Sequence, residues 1–196
     1  DSHRELGKGK SMPMTPLHPD IDRILIDDAT IQRRIKEMGR QITADYQGEE
    51  LVLVCILKGA FLFMADLCRH LELPLNTEFM SISSYGHSTV SSGMVRILKD
   101  LNESIEGRNV LVVEDIVDTG LTLSYLADLL SARRPKSLKL CSLTSKPHCH
   151  KKAIKIDYVG FSLESDFVVG YGLDYRDYYR NLPYIGVLKP HVYSQT

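Results

Sequence analysis

The chain has 196 residues, 43% apolar and 25% charged, with 24 Lys and Arg against 25 Asp and Glu for a net charge of −1. That length suffices for one well-buried α/β domain, and the even charge offers nucleic acid no bulk attraction, so a small acidic partner must be held by local geometry. The longest apolar run, LVLVCIL, is too short to span a membrane, no signal peptide is expected, and Cys55, Cys68, Cys141 and Cys149 form no C-x-x-C pair, as expected of reduced thiols in a cytoplasmic protein.

Residues 1–19 are polar, punctuated by Gly and Pro and aperiodic, so they are expected to be a flexible lead-in to a single domain over 20–196. Their GKGKS run is not a P-loop, because the Gly required six residues before the lysine is Arg4 and no strand precedes it. Ile31, Ile35, Met38, Ile42 and Tyr46 recur on one face of a predicted helix over 28–46, behind Asp27 and Asp28 as caps and before Gly48. LVLVCIL (51–57) reads as a strand buried on both faces.

KGAFLFMADLCRHL follows as turn and helix, closed by Pro74, and TEFMSISSY as a strand. GHSTVSSG (86–93) is small and polar, a mobile loop by composition. MVRILKDL and NVLVV are strands, 121–132 a helix, and SLKLCSL, DYVGFSL and YIGVL complete the strands. Strands alternating with helices predict a mostly parallel sheet flanked by helices, with a small lobe built by the two chain ends.

NVLVVEDIVDTGLT carries the chemistry. A βα turn with a Gly loop suits a phosphate, through free backbone N–H groups and the positive end of the helix. Yet Glu114, Asp115 and Asp118 stand in the same turn. Two carboxylates directly after a strand are suited to accept hydrogen bonds from vicinal hydroxyls, while DTGLT offers amides and the hydroxyls of Thr119 and Thr122 to a phosphate. A ribose 5-phosphate satisfies both halves. The plainer alternative is that Asp118 or Thr119 merely caps the next helix.

VLVVEDIVDTGLT resembles the phosphoribosyl pyrophosphate signature of type I phosphoribosyltransferases, and LVCILKGAFLFMADL, SSYG, ILKDL, SLTSK and FVVGYGLDYRDYYRNLPYIGVL extend the resemblance over about residues 20–190 to the hypoxanthine-guanine branch. It implies the type I phosphoribosyltransferase fold with a small hood lobe, and purine salvage: transfer of phosphoribosyl from phosphoribosyl pyrophosphate to a 6-oxopurine. Mg²⁺ is the implied cofactor, and a homodimer or homotetramer the implied assembly.

By the same resemblance, Glu114 and Asp115 hold the ribose hydroxyls directly or through Mg²⁺, and Asp118 is the general acid/base beside the imidazole-side ring nitrogen of the purine. Asp118, Thr119, Gly120, Leu121 and Thr122 form the 5′-phosphate loop. Lys58 and Gly59, in a turn that often carries a non-proline cis bond at the position of Leu57–Lys58, meet pyrophosphate with Arg180. Lys146 binds the six-position carbonyl, Phe167 stacks on the purine, Val168 offers backbone to the ring edge, and Asp174 reaches a second Mg²⁺ through water. Ser84 and Tyr85 open a lid. His150 stands where the family commonly has arginine, so no role is carried over to it, and the adjacent residues of HCH are poorly placed to wrap one metal ion. A regulator of this fold that binds RNA should instead display a basic face.

Overall fold

The computed structural model describes residues 16–84 and 95–194. Most of the expected lead-in and of the expected lid, Tyr85 included, therefore lies outside the described residues. The backbone of Ser84 ends a strand, pairing with Val95.

Strand β1 (Ile21–Ile26) leads into helix α1 (Asp28–Asp45), which Asp27 caps by accepting the Thr30 amide at 2.8 Å. β2 (Leu51–Leu57), α2 (Phe61–Cys68), β3 (Leu75–Ser84), β4 (Val95–Lys99), β5 (Asn109–Val117), α3 (Leu121–Ser131), β6 (Ser137–Ser145) and β7 (Tyr158–Ser162) follow. Then come β8 (Val168–Val169), β9 (Ile185–Leu188) and α4 (Pro190–Tyr193).

The main sheet has the order β4-β3-β2-β5-β6-β7, with only β4 antiparallel. β2 is buried almost throughout, and alternate residues feed opposite layers. Leu51, Leu53 and Cys55 pack with Ile31, Ile35, Met38, Phe63 and Leu67 from α1 and α2. Val52, Val54 and Ile56 pack with Leu123, Leu126 and Leu130 from α3. Each fully buried Leu or Ile contributes about 1.5–3 kcal/mol, so this two-sided burial holds the strand at the centre of the sheet.

From the centre, the chain winds outward from β2 to β3 in one direction and from β5 through β6 to β7 in the other. The β2–β5 junction is thus the topological switch point, where the crevice beyond the strands' carboxyl ends favours ligands. A second sheet, β1-β9-β8, is antiparallel and joins the two ends of the chain as a small lobe. Its own core is Ile21, Val169, Tyr184 and Leu188. His18 and Pro19 are tied to it: the His18 amide donates to Tyr184 Oη at 3.0 Å, and Lys189 Nζ donates to the Pro19 carbonyl at 2.7 Å.

Candidate active site

Two turns meet at the switch point. β2 ends in Leu57-Lys58-Gly59, whose first peptide bond is cis. β5 ends in Glu114, Asp115, Ile116 and Val117. A Cβ on Gly59 would collide with the Asp115 carboxylate, and one on Gly172 would collide with the Gly59 carbonyl. Arg180 Nη1 donates to the Gly172 carbonyl at 2.6 Å. Absent side chains at 59 and 172 therefore let three distant segments close on one another.

The two acids differ in setting. Glu114 is buried, and burial together with the neighbouring Asp115 charge pushes its carboxyl well above the usual range. Asp115 is also raised by burial, an effect opposed by its hydrogen bond from the Ile116 amide at 2.8 Å. Thr144 Oγ1 on β6 donates to the Asp115 carbonyl at 2.8 Å and so steadies the turn from its other side.

Beyond β5, Gly120 adopts φ +76° and starts α3 with no side-chain cap. Neither Asp118 nor Thr119 spends its side chain as the conventional N-cap; Thr119 Oγ1 makes only a long 3.4 Å contact with the Leu121 amide. The helix N-terminus keeps its positive end for an outside acceptor. Behind the loop, the Lys151 amide donates to the Thr119 carbonyl at 2.9 Å, and Ile154 Cγ2 would stand 3.2 Å from a Cβ on Gly120.

A cavity of about 250 Å³ is lined by Asp115, Asp118, Lys146, Phe167, Val168 and Asp174, with Ile116 and Leu173 between them. Lys146 is buried; its amide donates to the Val117 carbonyl and its Nζ to the Asp166 carbonyl, both at 2.8 Å. Phe167 stays partly exposed at the rim. A larger cavity, about 420 Å³ beside Gly48 and Pro74, lies at the opposite, amino ends of β2 and β3 and gathers no comparable set of acids.

Lys58 and Arg180 come together through a residue the sequence reading did not single out. Asp177 Oδ2 pairs with Lys58 Nζ, while its Oδ1 accepts from Arg180 Nε at 3.2 Å and Nη2 at 3.0 Å. Asp174 also pairs with Arg180, at 3.1 Å, and accepts the Asp177 amide at 2.7 Å. The Lys58 and Arg180 hydrogen bonds hold the Asp177 carboxyl below its ordinary range. The i, i+3 spacing of Asp177 and Arg180 was the available sequence signal; the positive φ of Asp177, 70°, was not visible.

Residues 24–176 match the phosphoribosyl transferase domain family. A hypoxanthine-guanine phosphoribosyltransferase of Bacillus subtilis is 54% identical over 175 residues, which cover 89% of this chain and 97% of that protein. The chain belongs to the hypoxanthine-guanine phosphoribosyltransferase family. A crystal structure of a hypoxanthine phosphoribosyltransferase from Staphylococcus aureus superposes with a TM-score of 0.87 at 50% identity, covering 89% of this chain and 95% of the other. The chain is also 52% identical over 192 residues to the bifunctional protein TilS/HprT of Listeria innocua; the match takes in 98% of this chain but spans only 29% of that longer protein. The expected fold class, a mostly parallel sheet with a small hood, is the one the chain forms, and its fold is shared with the Staphylococcus aureus structure.

Among the described residues no helix is long and apolar enough to cross a membrane. Among the same residues no group of three or more His, Cys, Asp and Glu side chains is arranged to hold a metal by itself.

Proposed function

We propose that the protein transfers the 5-phosphoribosyl group of phosphoribosyl pyrophosphate to hypoxanthine or guanine, releasing IMP or GMP and pyrophosphate. The observation that carries the reading is the strand-end pair Glu114–Asp115, whose Asp115 lines one cavity with Asp118, Lys146 and Phe167, a few residues before the N-terminus of α3, which has no side-chain cap. Diol, phosphate and base each meet matching chemistry within one crevice.

In this reaction a purine nitrogen bonds to the anomeric carbon as the carbon–oxygen bond to pyrophosphate breaks. Positive charge develops on the sugar and negative charge on the leaving group. Glu114 and Asp115 hold the ribose hydroxyls, and their negative field favours the cation-like sugar. Backbone amides and hydroxyls of residues 118–122 anchor the 5′-phosphate. Lys58, Gly59 and Arg180 receive pyrophosphate, the guanidinium by its fork. Asp118, on the wall of the base cavity, exchanges a proton with the imidazole side of the purine. Lys146 donates to the six-position oxygen, Phe167 supplies a stacking face and Val168 a backbone edge.

Mg²⁺ fits the acid pair: adjacent carboxylates pushed toward their neutral forms by burial form a donor set that a hard cation stabilises. Asp174, on the same cavity, would reach a second ion through water. When bound, Mg²⁺ supplies charge neutralisation for the substrate's phosphate oxygens, and with so few protein ligands it would complete its shell from substrate and water.

The test is pyrophosphate release with hypoxanthine, guanine, xanthine, adenine or uracil, with and without Mg²⁺. Turnover of the 6-oxopurines that chelation abolishes and Mg²⁺ restores is expected; no turnover with any base, together with salt-sensitive RNA binding, would overturn the assignment. The reading carries with it a cytoplasmic setting and a homodimer or homotetramer, which light scattering on the purified chain distinguishes from a monomer.

A further inference from the structure

Phe167 has neighbours on more than one side. It borders the cavity that also holds Asp118 and Lys146, and a second cavity, about 510 Å³, reached by Arg23, Pro190 and Tyr193. Tyr193 borders only the second of these. Its ring stacks on Phe167 with centroids 4.8 Å apart and planes 19° from parallel. Tyr175 meets the same ring edge-on, at 5.7 Å and 86°.

Tyr193 is itself well held. Pro190 begins α4, whose last turn is closed by the Ser194 amide donating to the Pro190 carbonyl at 2.9 Å. The preceding Lys189 amide donates to the Asp20 carbonyl at 2.8 Å, and its Nζ to the Pro19 carbonyl. Val192 and Tyr193 pack on the hood core of Ile21, Val169, Tyr184 and Leu188. The two ends of the chain thus meet behind the aromatic at the rim of the base cavity.

From this arrangement we infer that Tyr193 is a positioning residue for the purine, acting through Phe167. The inference rests on the base-binding reading of Phe167 given above. A phenylalanine 38% exposed at a cavity rim would otherwise turn among rotamers, and a base stacking on it would bear the cost of immobilising it. The Tyr193 stack fixes the ring beforehand, so base affinity depends on a side chain that does not touch the base. Phosphate and ribose recognition, built on β5 and α3, does not.

The experiment is calorimetric titration of GMP and, separately, ribose 5-phosphate into the full chain and its Tyr193→Leu and Tyr193→Phe variants, with melting curves alongside. Leucine keeps apolar packing on the hood core but removes the ring; phenylalanine keeps the stack. Tyr193→Leu should weaken GMP binding roughly threefold to tenfold, the range for one immobilised side chain or one aromatic pair, and leave ribose 5-phosphate unchanged. Tyr193→Phe should match the parent on both. Unchanged GMP affinity in Tyr193→Leu would overturn the inference, as would equal loss of both ligands with a lowered melting temperature, which marks a purely structural residue. A parent chain that binds GMP no more tightly than ribose 5-phosphate would instead remove the base pocket itself, and the inference with it.

Discussion

The Asp115 carboxylate occupies the space that a side chain on Gly59 would need, so the β2 turn and the β5 acid can approach only because position 59 is bare. On the other side, the Gly59 carbonyl takes the space a side chain on Gly172 would need. Gly59→Ala should therefore push Asp115 aside while leaving the sheet intact. A misplacement of about 1 Å at such a group can cost on the order of 100-fold in rate. The expected result is a loss of that size in kcat/KM with little change in melting temperature. Wild-type turnover in this variant would mean that the exact seat of Asp115 does not matter to the chemistry.

Glu114 sets stability against its proposed role. Its carboxyl is raised by burial and by Asp115, so the unliganded fold favours the protonated form. The sign follows from linkage: this preference stabilises the fold in acid, below the ordinary Glu pKa, and is lost as pH rises through the raised value. Glu114→Gln imitates the neutral acid at every pH. Without ligand at neutral pH it should melt higher than the parent, the gap closing in acid, while turnover falls sharply. An equal or lower melting temperature at neutral pH would show that the charge is already compensated in the unliganded fold.

How much of this was legible in the sequence depends on range. β2 and β5 were plain because burial on both faces leaves an unbroken apolar run, and α1 because Ile31, Ile35, Met38 and Ile42 keep a helical period. β1 was missed: only its ends, Ile21 and Ile26, are buried, while Ile24 and Leu25 are partly exposed, so no alternation survives. Its partner β9 lies at the other end of the chain, and β8 has two residues. At the site, residues within one turn were readable together, as with Glu114 to Thr122. Contacts made by folding alone were not: Lys58 meets Asp177 across 119 positions, and Tyr193 reaches Phe167 through the hood.

Asp118 lines the same cavity as Lys146, the one proposed to take the base. If it moves a proton in the transition state, Asp118→Asn should lower kcat by about 100-fold to 10,000-fold, the range for a positioned acid or base. Ribose 5-phosphate affinity should hold, because the amides of the α3 N-terminus remain. Equal loss of turnover and affinity, by steady-state kinetics and calorimetry, would assign Asp118 to binding or to the shape of the loop.

Lys146 spends one of its three donors on the Asp166 carbonyl, which aims the ammonium while leaving others for a ligand. In the proposed reaction a buried donor set against a 6-amino group would be left unpaired, and that penalty would be the source of discrimination. Lys146→Gln should therefore narrow the ratio of kcat/KM for hypoxanthine over adenine, chiefly by lowering the hypoxanthine value. An unchanged ratio would remove Lys146 from base selection.

Asp66 supplies the pH test that lies outside the chemistry. Its carboxylate on α2 accepts from Tyr171 Oη, from Gln32 Nε2 on α1 at 3.1 Å and from Arg69 Nη2 at 2.6 Å. Burial pushes its pKa up, yet these hydrogen bonds and the Arg69 charge outweigh it and leave the group below its ordinary value. Burial and the same carboxylate drive the Tyr171 hydroxyl upward, so it stays a donor at neutral pH. A depressed acid stabilises the fold above its unfolded pKa of about 3.9, and that stability drains away as pH falls through the lower folded value. Asp66→Asn should cost about 1.5–3 kcal/mol at pH 7, as for hydrogen bonds to a charged group. In denaturant titrations across pH, the gap from the parent should shrink below about pH 4. Because Tyr171 adjoins Gly172, whose carbonyl accepts from Arg180, the variant should also raise the KM for phosphoribosyl pyrophosphate. A gap that stays constant down to strong acid would mean that Asp66 acts through its shape and not its charge.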